Sequence, residues 1–197
     1  EAVGLGDFGK NCNYLERQID RWTGQYRASQ TGDLPEMERL IEWLPTEVPI
    51  QDGIAIVHGD YRIDNMIFAP SEPRICAVLD WELSSLGDPI ADLAYFLLSW
   101  LPGRDGRAAV AALDLAALGI PDMGEMTARY CEKAGRSKMP DLNWYFSFNL
   151  FRLACIVQGI KRRVIEGNAS NAKAAEIAER VPRLACAAWA CARETRV

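Results

Sequence analysis

Histidine is almost missing from this 197-residue chain: His58 stands alone. That excludes the histidine-rich dinuclear sites common among metal-dependent phosphoesterases. The six cysteines (Cys12, Cys76, Cys131, Cys155, Cys186 and Cys191) contain no C-x-x-C pair. A zinc site would have to be all-thiolate at irregular spacing, so none is expected. Several of the cysteines sit inside apolar runs, where the thiol behaves as a small hydrophobe. No signal-peptide pattern opens the sequence, and the expectation is a reduced, cytoplasmic protein. Long hydrophobic runs are lacking too. The longest uncharged apolar stretch, Leu93 to Gly103, falls short of the ~20 residues that a membrane helix needs. There is no basic excess: 22 Lys and Arg face 27 Asp and Glu, a formal charge of −5, so neither nucleic acid nor membrane is an expected partner.

What is present is the makeup of one globular unit, 49% hydrophobic and 25% charged, and residues 1–197 read as a single domain. Its centre is His58-Gly59-Asp60-Tyr61-Arg62-Ile63-Asp64-Asn65, followed fifteen residues later by Asp80. The apolar runs 54–57, 66–68 and 75–79 surround these residues and predict three short buried strands at one edge of a small sheet. Ala69 to Arg74 is a turn, so the last two strands form a hairpin. Two carboxylates and an amide just past rigid strands can hold a divalent metal and position a hydroxyl.

The spacing H-x-D-x-x-x-x-N, then an aspartate on the next strand, is in outline the catalytic loop and metal-binding aspartate of protein kinases. Gly59 and Trp81-Glu82 depart from the protein-kinase form. With Leu79-Asp80-Trp81-Glu82, Gly87-Asp88-Pro89, Asp92-Leu93-Ala94 and Tyr14 to Gln18 upstream, the chain resembles the aminoglycoside phosphotransferase family. Within it, the resemblance is greatest to the kinase-like branch associated with acyl-CoA dehydrogenases. This implies the helical C-terminal lobe of a protein-kinase-like fold, α+β but mostly α. It also implies ATP and Mg2+ as cofactors and a small-molecule hydroxyl as acceptor, such as a hydroxyacyl-CoA or hydroxy acid. An antibiotic kinase and a non-catalytic scaffold lobe are the competing functions.

On this reading Asp60 is the general base; its ordinary alternative is an aspartate closing an Asx-turn. Asn65 and Asp80 bind the magnesium and through it the nucleotide; otherwise they are a strand cap and a turn residue. Glu82, two beyond Asp80, joins the metal if the strand continues. Arg62 occupies the place where serine/threonine protein kinases contact the γ-phosphate, or else pairs with Asp64 or Glu82. His58 packs beneath the loop, Asp88 caps a helix, and Asp92 accepts hydrogen bonds from the loop backbone, all as structural support.

Around the site the pattern is helical. Leu15, Ile19, Trp22 and Tyr26 share a helix face. Asp33 is the expected N-cap of a second helix through Met37, Leu40, Ile41 and Leu44. Asp88-Pro89 opens a buried helix to about Trp100, and an Ala-rich helix is expected over 107–118. Further helices span 123–134, 141–166 and 171–193, the last kinked or broken at Pro182. Trp144, Phe148 and Phe151 form a core stripe or the wall of an acceptor pocket. Arg152, Lys161, Arg162 and Arg163 either meet an anionic substrate arm or compensate a helix C-terminus. The Gly-rich loop, strand lysine and glutamate partner of a kinase nucleotide lobe have no counterpart before His58, where residues 1–9 read as linker. The missing N-terminal lobe is thus an expected partner, and residues 1–197 alone are expected to be inactive.

Overall fold

The computed structural model describes residues 8–10, 12–51, 53–101, 110–169 and 172–195. The linker expected over 1–9 falls largely outside them, as does the start of the Ala-rich helix expected over 107–118, residues 107–109. It is a mostly helical α+β structure of seven α-helices and two small antiparallel sheets among the described residues.

The opening helix α1 (Tyr14–Ser29) buries Leu15, Ile19, Trp22 and Tyr26, the face anticipated from their spacing. In α2 (Pro35–Trp43) the cap is Leu34, not Asp33, and no side chain caps the helix. Pro35 takes the first helical position and forces the residue before it into an extended conformation, which moves the boundary onto Leu34.

One sheet was expected; there are two. Strand β1 (Ala55–Val57) pairs with β4 (Ser85–Gly87), whereas β2 (Met66–Phe68) and β3 (Ile75–Val78) form the expected hairpin. The small residues around β4 carry no strand pattern, and only its partner β1 selects that conformation. The strands are also less buried than their composition suggests. Val57 is fully buried, but Ile67, Phe68 and Ile75 are each about half exposed. A two-stranded hairpin has two faces, and the helices do not cover these side chains.

Helix α3 (Pro89–Leu97) follows Asp88, whose carboxylate accepts the Ile90 N–H, and its last turn tightens to a 3-10 turn over Leu98–Trp100. The Ala-rich stretch is not an α-helix where it is described. A single 3-10 turn (Val110–Ala112) gives way to turns in which Asp114 accepts the Ala117 N–H and competes with helix propagation. Helix α4 (Met123–Ala134) has a full capping box from Asp122 and Glu125 and ends at Gly135 with φ 66°. The longest helix, α5 (Leu142–Ile165), is capped by Asp141 and runs through the core. Its Trp144, Phe148 and Phe151 are each at most 1% exposed, so the stripe is core and not a pocket wall. Helices α6 (Ala174–Ala178) and α7 (Val181–Glu194) replace the single final helix, with Pro182 in the first turn of α7. No helix among the described residues is long and apolar enough to cross a membrane.

Candidate active site

Three elements deliver the polar loop. Strand β1 leads into His58, β2 begins after a 3-10 turn (Ile63–Asn65), and β3 leads to Asp80. The Leu79 N–H donates to the Asn65 carbonyl at 2.8 Å, fastening the Asp80 segment to the end of the loop.

Within the loop, the Asn65 side-chain amide donates to the Asp60 carbonyl and to Asp60 Oδ2, both at 2.8 Å. One carboxylate oxygen of Asp60 is thereby held, and Oδ1 accepts no hydrogen bond from the described residues. This is more specific than an Asx-turn, because the partner is the side chain that the spacing singled out. With its Nδ2 committed to Asp60, Asn65 keeps Oδ1 as an oxygen donor. Asp80 lies at φ 69° and is exposed. No side chain of the described residues donates to it.

An amide oxygen and an exposed carboxylate are hard donors that suit magnesium, which keeps several waters and shares its ligands with substrate phosphates. Among the described residues no cluster of three or more His, Cys, Asp or Glu could hold a metal by itself. A shared site is what these two residues fit. Glu82 does not join them by the reason expected. The strand ends at Val78 and residues Trp81–Leu83 form a 3-10 turn, so strand alternation does not carry Glu82 to the side of Asp80. Arg62 pairs with exposed Asp64, one of its two expected alternatives, and not with Glu82.

His58 is 2% exposed. Its Nε2 lies 2.7 Å from the Leu79 carbonyl, which can only accept, and its Nδ1 accepts the Asp60 N–H at 3.1 Å. The two bonds specify the Nε2–H tautomer and tie both strand ends together. Asp92, from α3, accepts the His58 N–H through Oδ2 and the Gly59 N–H through Oδ1, the latter at 3.0 Å. Burial pushes its carboxyl above the usual carboxylate range, and these two N–H groups oppose the shift. Asp88 caps α3 and also accepts the Tyr145 hydroxyl at 2.7 Å.

Gly59 is demanded by geometry. Its φ is +83°, and a Cβ there would stand 2.7 Å from the Leu83 carbonyl oxygen. Gly87 is constrained likewise, since a Cβ would meet the Tyr14 ring at 2.6 Å. That contact accounts for Tyr14 in the upstream motif.

Arg152 departs from the expectation. It is 7% exposed, donates to the Gly59 carbonyl, and lies over the rings of Trp22 and Tyr95 at 5.4 and 5.3 Å. It is thus withdrawn from any anionic substrate arm and holds the loop from below. Arg162 pairs with Glu166 at 2.5 Å in the last turn of α5, the helix-end role. No local signal in the sequence marks Arg152, because its partners are 57 residues away or more.

Known proteins resemble this chain in sequence and in fold. The "Phosphotransferase enzyme family" matches residues 1–129, a span that contains His58 to Asn65 and Asp80. A crystal structure from Ralstonia eutropha, assigned as an aminoglycoside phosphotransferase, superposes with a TM-score of 0.93 at 46% identity. It covers 100% of this chain and 60% of that one. Mouse acyl-CoA dehydrogenase family member 10 is 43% identical over 194 residues, covering 96% of this chain and 18% of that protein. Human acyl-CoA dehydrogenase family member 11 is 38% identical over 173 residues, covering 87% and 22%. The chain therefore spans about a fifth of the length of these curated relatives. On the family match and the shared fold, the chain belongs to the phosphotransferase enzyme family.

Proposed function

We propose that the chain is the acceptor-binding and catalytic lobe of an ATP- and magnesium-dependent small-molecule kinase, with a hydroxyl as acceptor. The observation that carries this reading is the double hydrogen bond from Asn65 to Asp60, which holds one oxygen of the base and leaves the other free. Asp60 Oδ1 takes the proton of the substrate hydroxyl as that oxygen bonds to the γ-phosphorus. The bond from the γ-phosphorus to the β,γ-bridging oxygen breaks, and ADP leaves. Asn65 Oδ1 and Asp80 would hold the magnesium, which when bound neutralises charge on the β- and γ-phosphates. Arg62 reaches the transferring phosphoryl by exchanging its exposed Asp64 partner, a surface pair worth ~0–1 kcal/mol.

The remaining nucleotide contacts come from a segment outside residues 1–197. Supporting this, Ile67, Phe68, Ile75, Leu79 and Trp81 leave an apolar surface half exposed beside the loop, and the solved relative is longer than this chain.

For the acceptor we favour a hydroxyacyl thioester or hydroxy acid over an aminoglycoside. A cavity of about 280 Å³ beside the loop is walled by Ile56, Tyr61, Trp81, Leu93 and Tyr130. The carboxylate at its floor, Asp92, is already committed to two backbone N–H groups, so the cavity suits an uncharged arm better than a polycation. The names of the relatives, acyl-CoA dehydrogenase family members, point the same way.

The test is phosphate transfer from ATP by the full-length protein to a panel of 4-hydroxyacyl thioesters, hydroxy acids and aminoglycosides, with Asp60→Asn beside it. The expected result is transfer to the hydroxyacyl group, lowered ~10²- to 10⁴-fold by the substitution at intact nucleotide affinity. Near-wild-type turnover by the variant removes Asp60 as base. A scaffold lobe would show neither transfer nor a nucleotide-dependent thermal shift.

A further inference from the structure

We propose that Arg152 is a positioning residue for the base, acting through the peptide that precedes it. The Gly59–Asp60 peptide is gripped on both edges. Its carbonyl accepts from Arg152, and its N–H donates to His58 Nδ1 at 3.1 Å. One peptide earlier, the Gly59 N–H is taken by Asp92 Oδ1 at 3.0 Å. Gly59 is thus held at its N–H by an anion from α3 and at its carbonyl by a cation from α5.

A buried guanidinium is costly unless compensated. Here the compensation is the Gly59 carbonyl, the faces of Trp22 and Tyr95, and the nearby Asp92 carboxylate. The packing of α1, α3 and α5 is therefore coupled to one backbone carbonyl beside the base. A lysine at this position has no planar fork to rest on both rings while pointing a donor at Gly59. Because Gly59 has no Cβ and sits at φ +83°, its peptide would otherwise be among the freest in the loop. Arg152 and Asp92 remove that freedom.

This inference rests on the assignment of Asp60 as base, and two independent measurements separate the two claims. The first needs no activity. His58 is the only histidine of residues 1–197, so in the ¹⁵N-histidine-labelled full-length protein its imidazole is the signal that disappears in His58→Gln, and its shifts report its tautomer. The wild-type protein should show a pyrrole-type Nε2 and a pyridine-type Nδ1 there. In Arg152→Met the released peptide should move both signals toward the average of the two tautomers. Arg152→Lys, which keeps the charge in the core and guards against loss of the fold, should move them in the same direction by less. Wild-type shifts in either folded variant overturn the clamp, whatever the enzyme does.

The second measurement is kinetic, on the full-length protein. Arg152→Met should lower kcat about 10- to 100-fold with KM for ATP unchanged, the scale of a base displaced by a fraction of an ångström. In an Asp60→Asn background the same change should cost nothing further, because the group it positions has gone. An equal loss in both backgrounds overturns the proposal. If instead Asp60→Asn alone has no effect, the base assignment fails while the imidazole signals still judge the clamp.

Discussion

The side-chain amide of Asn65 donates to both the backbone carbonyl and the carboxylate Oδ2 of Asp60, each at 2.8 Å. One side chain thus sets the carboxylate's orientation and leaves its own oxygen open to the proposed magnesium. Under the same proposal Asp80 has only the second of these tasks. The two residues should therefore fail differently. Asn65→Ala should lower kcat by ~10²-fold or more through loss of alignment. Asp80→Ala removes the anionic ligand and should chiefly raise the magnesium needed for half-maximal rate. Titrating magnesium against initial rate in both variants checks this; the same magnesium dependence in wild type and Asp80→Ala would take Asp80 out of the site.

Gly59 and Gly53 both have positive φ, at +83° and +96°, but only Gly59 is crowded. A Cβ at Gly59 would stand 2.7 Å from the Leu83 carbonyl, whereas at Gly53 it meets nothing within 4 Å. Gly53→Ala should cost about 1 kcal/mol of backbone strain alone. Gly59→Ala should cost more and also displace the loop, with a clear loss of turnover. Urea unfolding of both variants, beside activity of the full-length protein, measures the difference. Equal stabilities would show that the Leu83 segment moves freely.

Asp92 should be intolerant even of its amide. In Asp92→Asn one oxygen becomes an N–H group facing a backbone N–H, and the anion that compensates Arg152 is gone. Losing a charged hydrogen bond of this kind costs ~1.5–3 kcal/mol. The expected outcome is lower stability together with faster amide hydrogen exchange at His58 and Gly59. Unchanged exchange at those two amides would contradict the assigned bonds.

Stability should also fall in alkali. Tyr14, 6% exposed, has its phenol pushed up to about 12 by burial, and Tyr145 is raised as well by burial and by Asp88. A phenol in the unfolded chain titrates near ~10. The folded state therefore holds these protons more tightly. Their contribution is complete below the unfolded value and is lost as the pH rises through the folded one. At ~1.4 kcal/mol per unit, Tyr14 alone accounts for a loss of ~3 kcal/mol as the pH climbs to 12. Tyr14→Phe should flatten that part of the profile, as read by urea midpoints between pH 9 and 12. A profile parallel to wild type would mean that Tyr14 titrates like an exposed phenol.

Much of this arrangement was legible along the chain, because the signals are short-ranged. The order of His58, Asp60, Asn65 and Asp80 is a matter of spacing; the first three share one loop, and the bond from the Leu79 N–H to the Asn65 carbonyl fastens the Asp80 segment to its end. Asp88-Pro89, Gly135, Asp141 and Pro182 start or stop helices through bonds and steric limits spanning a few residues, so α3, the end of α4, the start of α5 and the break before α7 could be placed. The Ala-rich stretch failed for the converse reason. Propensity alone favoured a helix there, and where described it gave way to the local bond from Ala117 to Asp114.

Tertiary structure decided the rest. β4 is a strand only because β1 offers its edge, and two sheets form where composition suggested one. Arg62 had two possible carboxylate partners in the sequence, and the 3-10 turn after Arg62 put Asp64 in reach. Arg152 read as one cation among four on a helix. Its burial against Trp22 and Tyr95, with its bond to a carbonyl 93 residues earlier, exists only once α1, α3 and α5 have packed. The identity of the site is written in local spacing, whereas its rigidity comes from long-range contacts between buried groups, which no window of the sequence contains.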